Sequence, residues 1–237
     1  MSKGTLLVPS RRRILHFGMA GVGTTFLAGC AGMGGLTGTL MGGSGEQVDW
    51  TSLGTEFAAN LKQIANQTDR LLSIQAMYAE TYGLKDLAAK LRAEASRLEK
   101  GDSFGASDLE TATTLSADAA NSVADKIRAS GQATEQQKQD LAKGQAMHAQ
   151  SIRDMWGGVL GIGLTLAKAT NAAPPSLGDV ALFDVFKDIT QTGPKALAFG
   201  ETSKATYEEY SKAFEYAGYY TPPKQRINDL KMPSNFG

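Results

Sequence analysis

The residue best suited to acid–base or metal chemistry is His148, one of only two histidines in the chain. A zinc site built on it would need carboxylates as its other ligands, since zinc takes Cys, His, Asp or Glu. A Ser-His-Asp triad would also have to use it. Because His148 lies on the apolar face of a helical pattern, we interpret it as a core residue hydrogen-bonded to a neighbour. A pH-sensitive packing point is the alternative, since imidazole titrates near 6.5.

The other candidate arrangements give only weak evidence for a catalytic or ligand-binding site. Glu208 and Glu209 are adjacent, so on a helix they point about 100° apart and are poorly placed to share a proton or metal. Gly158, Gly161 and Gly163 superficially match a dinucleotide fingerprint, but no strand precedes them. We therefore expect no enzymatic activity, no cofactor and no metal site.

Cys30 is the only cysteine, and the residue types before it follow a definite pattern. A cationic cluster, Arg11–Arg13, is followed by residues 14–29 without Asp, Glu, Lys or Arg, and then by Cys30. A charged start, an apolar middle and a small-residue cleavage site make up a secretory signal. The run Leu27-Ala28-Gly29-Cys30 resembles the lipobox of bacterial lipoproteins.

The lipoprotein resemblance implies that residues 1–29 are cleaved and that Cys30 receives lipid. Lipoproteins of this kind are anchored in the cell envelope by their acyl chains. Ala31 and Gly32 replace the aspartate that marks inner-membrane retention in many Gram-negative lipoproteins. The resemblance therefore implies the outer membrane, facing the periplasm.

The leader also resembles a twin-arginine export signal in Ser10-Arg11-Arg12-Arg13-Ile14-Leu15. With Arg11 and Arg12 as the pair, this resemblance implies export of an already folded chain. An ordinary secretory signal with three arginines is the alternative.

The charge of the mature chain disfavours nucleic acid as a partner. Cleavage removes four of the 24 Lys and Arg residues and none of the 24 Asp and Glu residues, which leaves 20 against 24, or a formal charge of −4. Binding to nucleic acid depends on Lys and Arg that neutralise phosphates. With its single cysteine lipidated, the chain has no disulfide and must rely on an apolar core.

Helical periodicity dominates the mature chain. After a glycine-rich tether over residues 30–45, apolar residues recur every three or four positions, which predicts an all-α fold. Gly83 and Gly101 predict helix ends, and Ser107/Glu110 and Thr134/Gln137 predict capping boxes. The prediction is an elongated antiparallel bundle over residues 46–218. It has about four main helices, short C-terminal helices at roughly 179–190 and 201–217, and an extended or disordered tail at 219–237.

Residues 155–167 form the most unusual mature segment, because four glycines interrupt a helical pattern. Each glycine costs roughly 0.8–1 kcal/mol relative to alanine within a helix. Gly157 and Gly161 form a small-xxx-small pair that lets two backbones approach closely. The segment predicts tight packing, with membrane insertion or self-association as the alternatives.

Aromatic residues concentrate near the C-terminus. Tyr216, Tyr219 and Tyr220 stand beside Pro222-Pro223 and suit a recognition surface, where tyrosine is enriched, although loop packing also accounts for them. Two functions follow from the sequence. The first is a lipid-anchored, non-catalytic envelope protein that binds another envelope protein as a scaffold or assembly accessory. The second is a membrane-active, pore-forming-like effector that uses residues 155–167.

Overall fold

The structure, a computed structural model, describes residues 48–100, 104–222, 225 and 227–231. These residues belong to the compact unit Gly45–Gly237. The predicted signal peptide, the tether, Cys30, Arg11 and Arg12 lie outside the described residues.

The described part is all-helical, with no strand among these residues, which confirms the all-α prediction. The helices are α1 (Trp50–Thr81), α2 (Lys85–Glu99), α3 (Ala106–Ser130), α4 (Glu135–Asn171) and α5 (Val180–Tyr216). None of the helices in the described ranges is long and apolar enough to cross a membrane.

Side-chain contacts define how the helices pack. α1 is antiparallel to α4, because Gly144 lies against Tyr78 while Gly161 lies against Asn60. α1 and α5 run in the same direction, because Trp50 contacts the Phe186 ring at one end. At the other end, Tyr78 contacts Phe214. The arrangement therefore combines antiparallel and parallel neighbours, where the sequence predicted an antiparallel bundle.

Two helix ends follow the local sequence signals. Gly83, with φ of 75°, ends the first helical run as predicted, and the Leu84 amide bonds back to the Ala79 carbonyl at 2.8 Å. Thr134 accepts a hydrogen bond from the Gln137 amide at 3.2 Å, which confirms this capping box.

The capping box predicted at Ser107 and Glu110 is wrong. The N-cap is Gly105, two residues earlier, so α3 begins at Ala106, and the Asp108 carboxylate accepts a hydrogen bond from the Gly105 amide at 2.9 Å. Arg97 also holds Asp108 in an ion pair of 2.6 Å. This ion pair fixes the carboxylate that the helix start uses, so the tertiary contact selects Asp108.

The prediction of two short C-terminal helices is also wrong, because α5 is one helix that continues through Pro194. A proline within a helix removes one amide donor and crowds the preceding turn. Buried residues nevertheless continue along one face of α5 past the proline, namely Ile189, Thr192, Gly193, Ala196 and Phe199. Packing of this continuous face against the bundle holds the helix together where the local sequence predicts a break.

The C-terminal segment, over the described residues 219–222, 225 and 227–231, is largely non-helical but packs on the bundle. Ile227 is fully buried. Lys204 donates to the Leu230 carbonyl at 2.7 Å, and Arg153 pairs with Asp229 at 2.8 Å. The described part of this segment contains turns and is docked on the bundle at least as far as residue 230.

Candidate functional site

The glycine-rich part of α4 lies against α1. A Cβ atom at Gly158 would stand 2.8 Å from the carbonyl oxygen of Asn60, and one at Gly161 would overlap the Asn60 side chain. Gly157 is exposed, and a Cβ there would meet only the Gln63 amide at 3.1 Å. The closest approach therefore uses Gly158 and Gly161. Of the predicted pair, Gly161 takes part and Gly157 lies at the edge.

His148 is buried among aromatic rings that α1 and α5 supply. Its ring centroid lies 5.2 Å from that of Tyr207, 5.7 Å from Tyr210 and 5.9 Å from Tyr78. Neither ring nitrogen has a hydrogen-bond partner among the described residues. Burial lowers the pKa of His148 to about 3. The position in the core agrees with the sequence interpretation, but the expected hydrogen bond to a neighbour is missing.

A buried polar network lies one turn from His148. The Gln145 amide donates to the Ser211 hydroxyl at 2.6 Å and to the Thr221 hydroxyl at 3.2 Å. This network joins α4, α5 and the C-terminal segment. Burial also raises the pKa of Tyr207 to about 12 and holds the pKa of Tyr78 well above its usual value. These phenols therefore stay protonated at neutral pH.

The C-terminal tyrosines separate into exposed and packed residues. Tyr216 is 58% exposed and Tyr220 is 75% exposed. Tyr219 is half-buried, and its ring centroid lies 6.5 Å from that of Phe214. The structure therefore leaves two of the three predicted recognition tyrosines free at the end of α5.

A groove that the sequence did not indicate runs between α1 and α4, close to the end of α2. It has a volume of about 670 Å³ and includes side chains from all three helices. We call it the α1–α4 groove, and its main side chains are Asp69, Ile74, Met77, Glu99, Met147 and Asp154. No local pattern brings these residues together, because they come from three separate helices.

Comparison with protein-family models, curated proteins and solved structures found no match. Within the described residues, no group of three or more His, Cys, Asp or Glu side chains is placed to hold a metal ion. The features available for function are therefore the exposed tyrosines, the glycine contact of α1 with α4, the buried His148 cluster and the α1–α4 groove.

Proposed function

We propose that this chain is a lipid-anchored, non-catalytic protein of the bacterial cell envelope that binds another envelope protein, as a scaffold or assembly accessory. The lipobox-like run ending at Cys30 supports the anchor, and the absent retention aspartate favours the outer membrane, facing the periplasm. The signal peptide would be removed, and the glycine-rich tether would link the lipid to the bundle.

The exposed aromatic surface at the end of α5 is the observation that carries the binding role. Tyr216, the last residue of α5, and Tyr220 just beyond it leave large rings in solvent. By contrast, Tyr207, Tyr210 and Phe214 on α5 are buried. Tyrosine is enriched at protein interfaces because it combines a large apolar body with a polar tip. A folded helical surface with exposed rings suits recognition of a protein.

The packing of residues 155–167 favours this function over the membrane-active alternative. Gly158 and Gly161 let α1 approach α4 closely, so a packing role already accounts for glycines in a helix interior. Insertion into a membrane would require α4 to leave these contacts. Release of dye from liposomes by the full chain would support the alternative.

Two measurements in intact bacteria test the proposal. Labelled palmitate should enter the wild-type chain and not Cys30→Ala. A photo-crosslinking amino acid at Tyr216 or Tyr220 should capture another envelope protein, whereas the same group at the exposed Lys62 should not. Label that persists in Cys30→Ala would refute the anchor, and equal capture at Lys62 would refute the binding surface.

A further inference from the structure

The α1–α4 groove has an apolar end and an acidic end. Ile74 and Met77 on α1 and Met147 on α4 form the apolar end, and Met147 is 47% exposed. Asp69, Glu99 and Asp154 line the rest, and among the lining residues only Arg70 is cationic. The groove therefore joins an accessible apolar surface to a local excess of negative charge.

Asp69 gives the groove an unsatisfied acceptor. Its Oδ1 atom is buried and has no hydrogen-bond partner among the described residues, and no ion pair within 4.0 Å involves Asp69 there. Burial raises the pKa of this carboxyl. The Arg70 backbone amide and charge already favour the ionised form of this partly buried carboxyl, but Oδ1 remains an unsatisfied acceptor toward which a cation can be directed. By contrast, the neighbouring Asp154 accepts the Gln150 amide at 2.6 Å.

The methionines suit an apolar partner surface. Methionine is unbranched and polarisable, so its side chain adapts to different apolar groups. Asp69 to Met77 spans eight residues, or about 12 Å at 1.5 Å per residue. This length matches two to three turns of a docked helix, which is a common way for an amphipathic segment to fill a groove.

We propose that the α1–α4 groove docks a basic amphipathic helix of the partner protein, with an apolar turn over Met77 and Met147 and Lys or Arg side chains directed toward Asp69, Glu99 and Asp154. This inference rests on the proposed protein-binding function and names the class of partner.

Charge complementarity selects this occupant. A second copy would bring the same net negative charge, because the mature chain has 20 Lys and Arg against 24 Asp and Glu. An anionic lipid surface would be repelled by the three carboxylates. A basic helix instead gains Coulomb attraction at the acidic end and buries apolar surface at the methionine end.

The test uses the full chain in phosphatidylcholine nanodiscs, or in buffer if it carries no lipid, with empty nanodiscs subtracted. The probe is a fluorescent 16-residue helical peptide with Met and Leu at helical spacing and Lys elsewhere. An otherwise identical peptide has Glu in place of every Lys. We expect saturable binding of the Lys peptide only, with affinity that falls as salt concentration rises.

Matched variants locate the binding. We expect Met147→Lys to weaken binding about tenfold or more, because it places a positive charge at the apolar end of the groove. We expect a similar loss for the double variant Asp69→Asn with Asp154→Asn, because it removes two of the three carboxylates that attract the Lys side chains. Leu164→Lys is the control for Met147→Lys, since Leu164 on the same helix is 50% exposed and outside the groove. Asp184→Asn is the control for the charge change. Circular dichroism checks that every variant stays folded.

Several outcomes would overturn the proposal. Equal binding of the two peptides, or equal losses in groove and control variants, would mean that the groove does not select a basic helix. A dimer of the wild-type chain that Met147→Lys dissociates would identify a second copy as the occupant. If Tyr216 crosslinks to an envelope protein but the Lys peptide does not bind, the proposed docking in the groove is refuted and the proposed protein-binding function is not. Peptide binding without palmitate label or crosslinking would refute only the proposed function.

Discussion

Asn60 occupies the space that side chains at Gly158 and Gly161 would fill. Gly158→Ala would place a methyl group 2.8 Å from the Asn60 carbonyl oxygen, so one backbone must move. Such overpacking typically costs about 1–3 kcal/mol, more than the gain in helix propensity of up to ~1 kcal/mol. We expect Gly158→Ala to have a lower free energy of unfolding than the wild type, measured by urea denaturation.

Gly157→Ala is the matched control for Gly158→Ala. Gly157 is exposed, and its added methyl would meet only the side-chain amide of Gln63, at 3.1 Å from Nε2, and no backbone atom. We expect unchanged stability or a gain of up to ~1 kcal/mol from helix propensity. If both variants behave alike, the close approach of α1 to α4 does not depend on Gly158.

His148 makes stability depend on pH. Its pKa is about 3 in the folded chain because of burial, against about 6.5 when unperturbed, so the unfolded chain takes up the proton first. The stability contribution of the neutral ring is complete above pH 6.5 and is lost as pH falls toward 3. The expected slope is up to about 1.4 kcal/mol per pH unit. Urea unfolding at pH 7, 6 and 5 measures it.

His148→Leu should flatten this dependence, because it removes the titrating group and its two unpaired nitrogens. Met155→Leu, a core substitution in the same helix, should keep the wild-type slope. Arginines lower the pKa values of the Glu80 and Asp229 carboxyls, and both groups remain in each variant, so they do not account for a difference between the two slopes. A wild-type slope in His148→Leu would contradict the assignment.

At the scale of helices, the start of α4 depends on Thr134. Its hydroxyl accepts the Gln137 amide, and the Gln137 side chain accepts the Thr134 amide at 2.9 Å. Thr134→Ala should lower the free energy of unfolding by about 1 kcal/mol.

Ser107→Ala is the control for the helix start, because Ser107 lies inside α3 rather than at its cap. Its stability should equal that of the wild type, whereas Asp108→Ala should resemble Thr134→Ala or lose more, since Asp108 also pairs with Arg97. Thermal melts of the three variants compare them. A destabilised Ser107→Ala would contradict the observed start of α3.

Helix formation was predictable where local signals and packing agree. Gly83, Thr134 and the apolar spacing placed most helices, because each signal acts within a few residues. The two helices predicted at roughly 179–190 and 201–217 are one helix, and this continuity was missed because the buried face of α5 stabilises a turn that Pro194 weakens. That face is a property of the assembled bundle.

At the scale of the whole molecule, the site features depend on which helices become neighbours. Unusual composition singled out Gly157, Gly161 and the three C-terminal tyrosines, but it did not show which of them would be packed and which exposed. It did not indicate the α1–α4 groove, because Asp69, Glu99 and Met147 are ordinary helix residues until three helices meet. Equally, helical periodicity placed His148 in the core but carried no information on whether its nitrogens would find partners.

The proposed export of the chain can be tested at the pair of arginines in the leader. If Arg11 and Arg12 form the pair of a twin-arginine signal, changing both to Lys should block transport although the positive charge is kept. Cell fractionation and immunoblotting measure this, and a matched Lys3→Arg change should leave export unaltered. Unchanged export of the double variant would favour the ordinary secretory route.

The antiparallel packing of α1 on α4 has a mechanical consequence. A pull applied to the chain before Trp50 and resisted by a partner in the groove would be directed along α1. The two helices would then have to slide past each other, which loads the contacts along their interface together, whereas peeling breaks contacts one after another. Asn60, seated against Gly158 and Gly161, obstructs that sliding. If the chain is anchored by lipid at Cys30 and binds a partner in the groove, as proposed, this packing would let the bundle carry tension between the two.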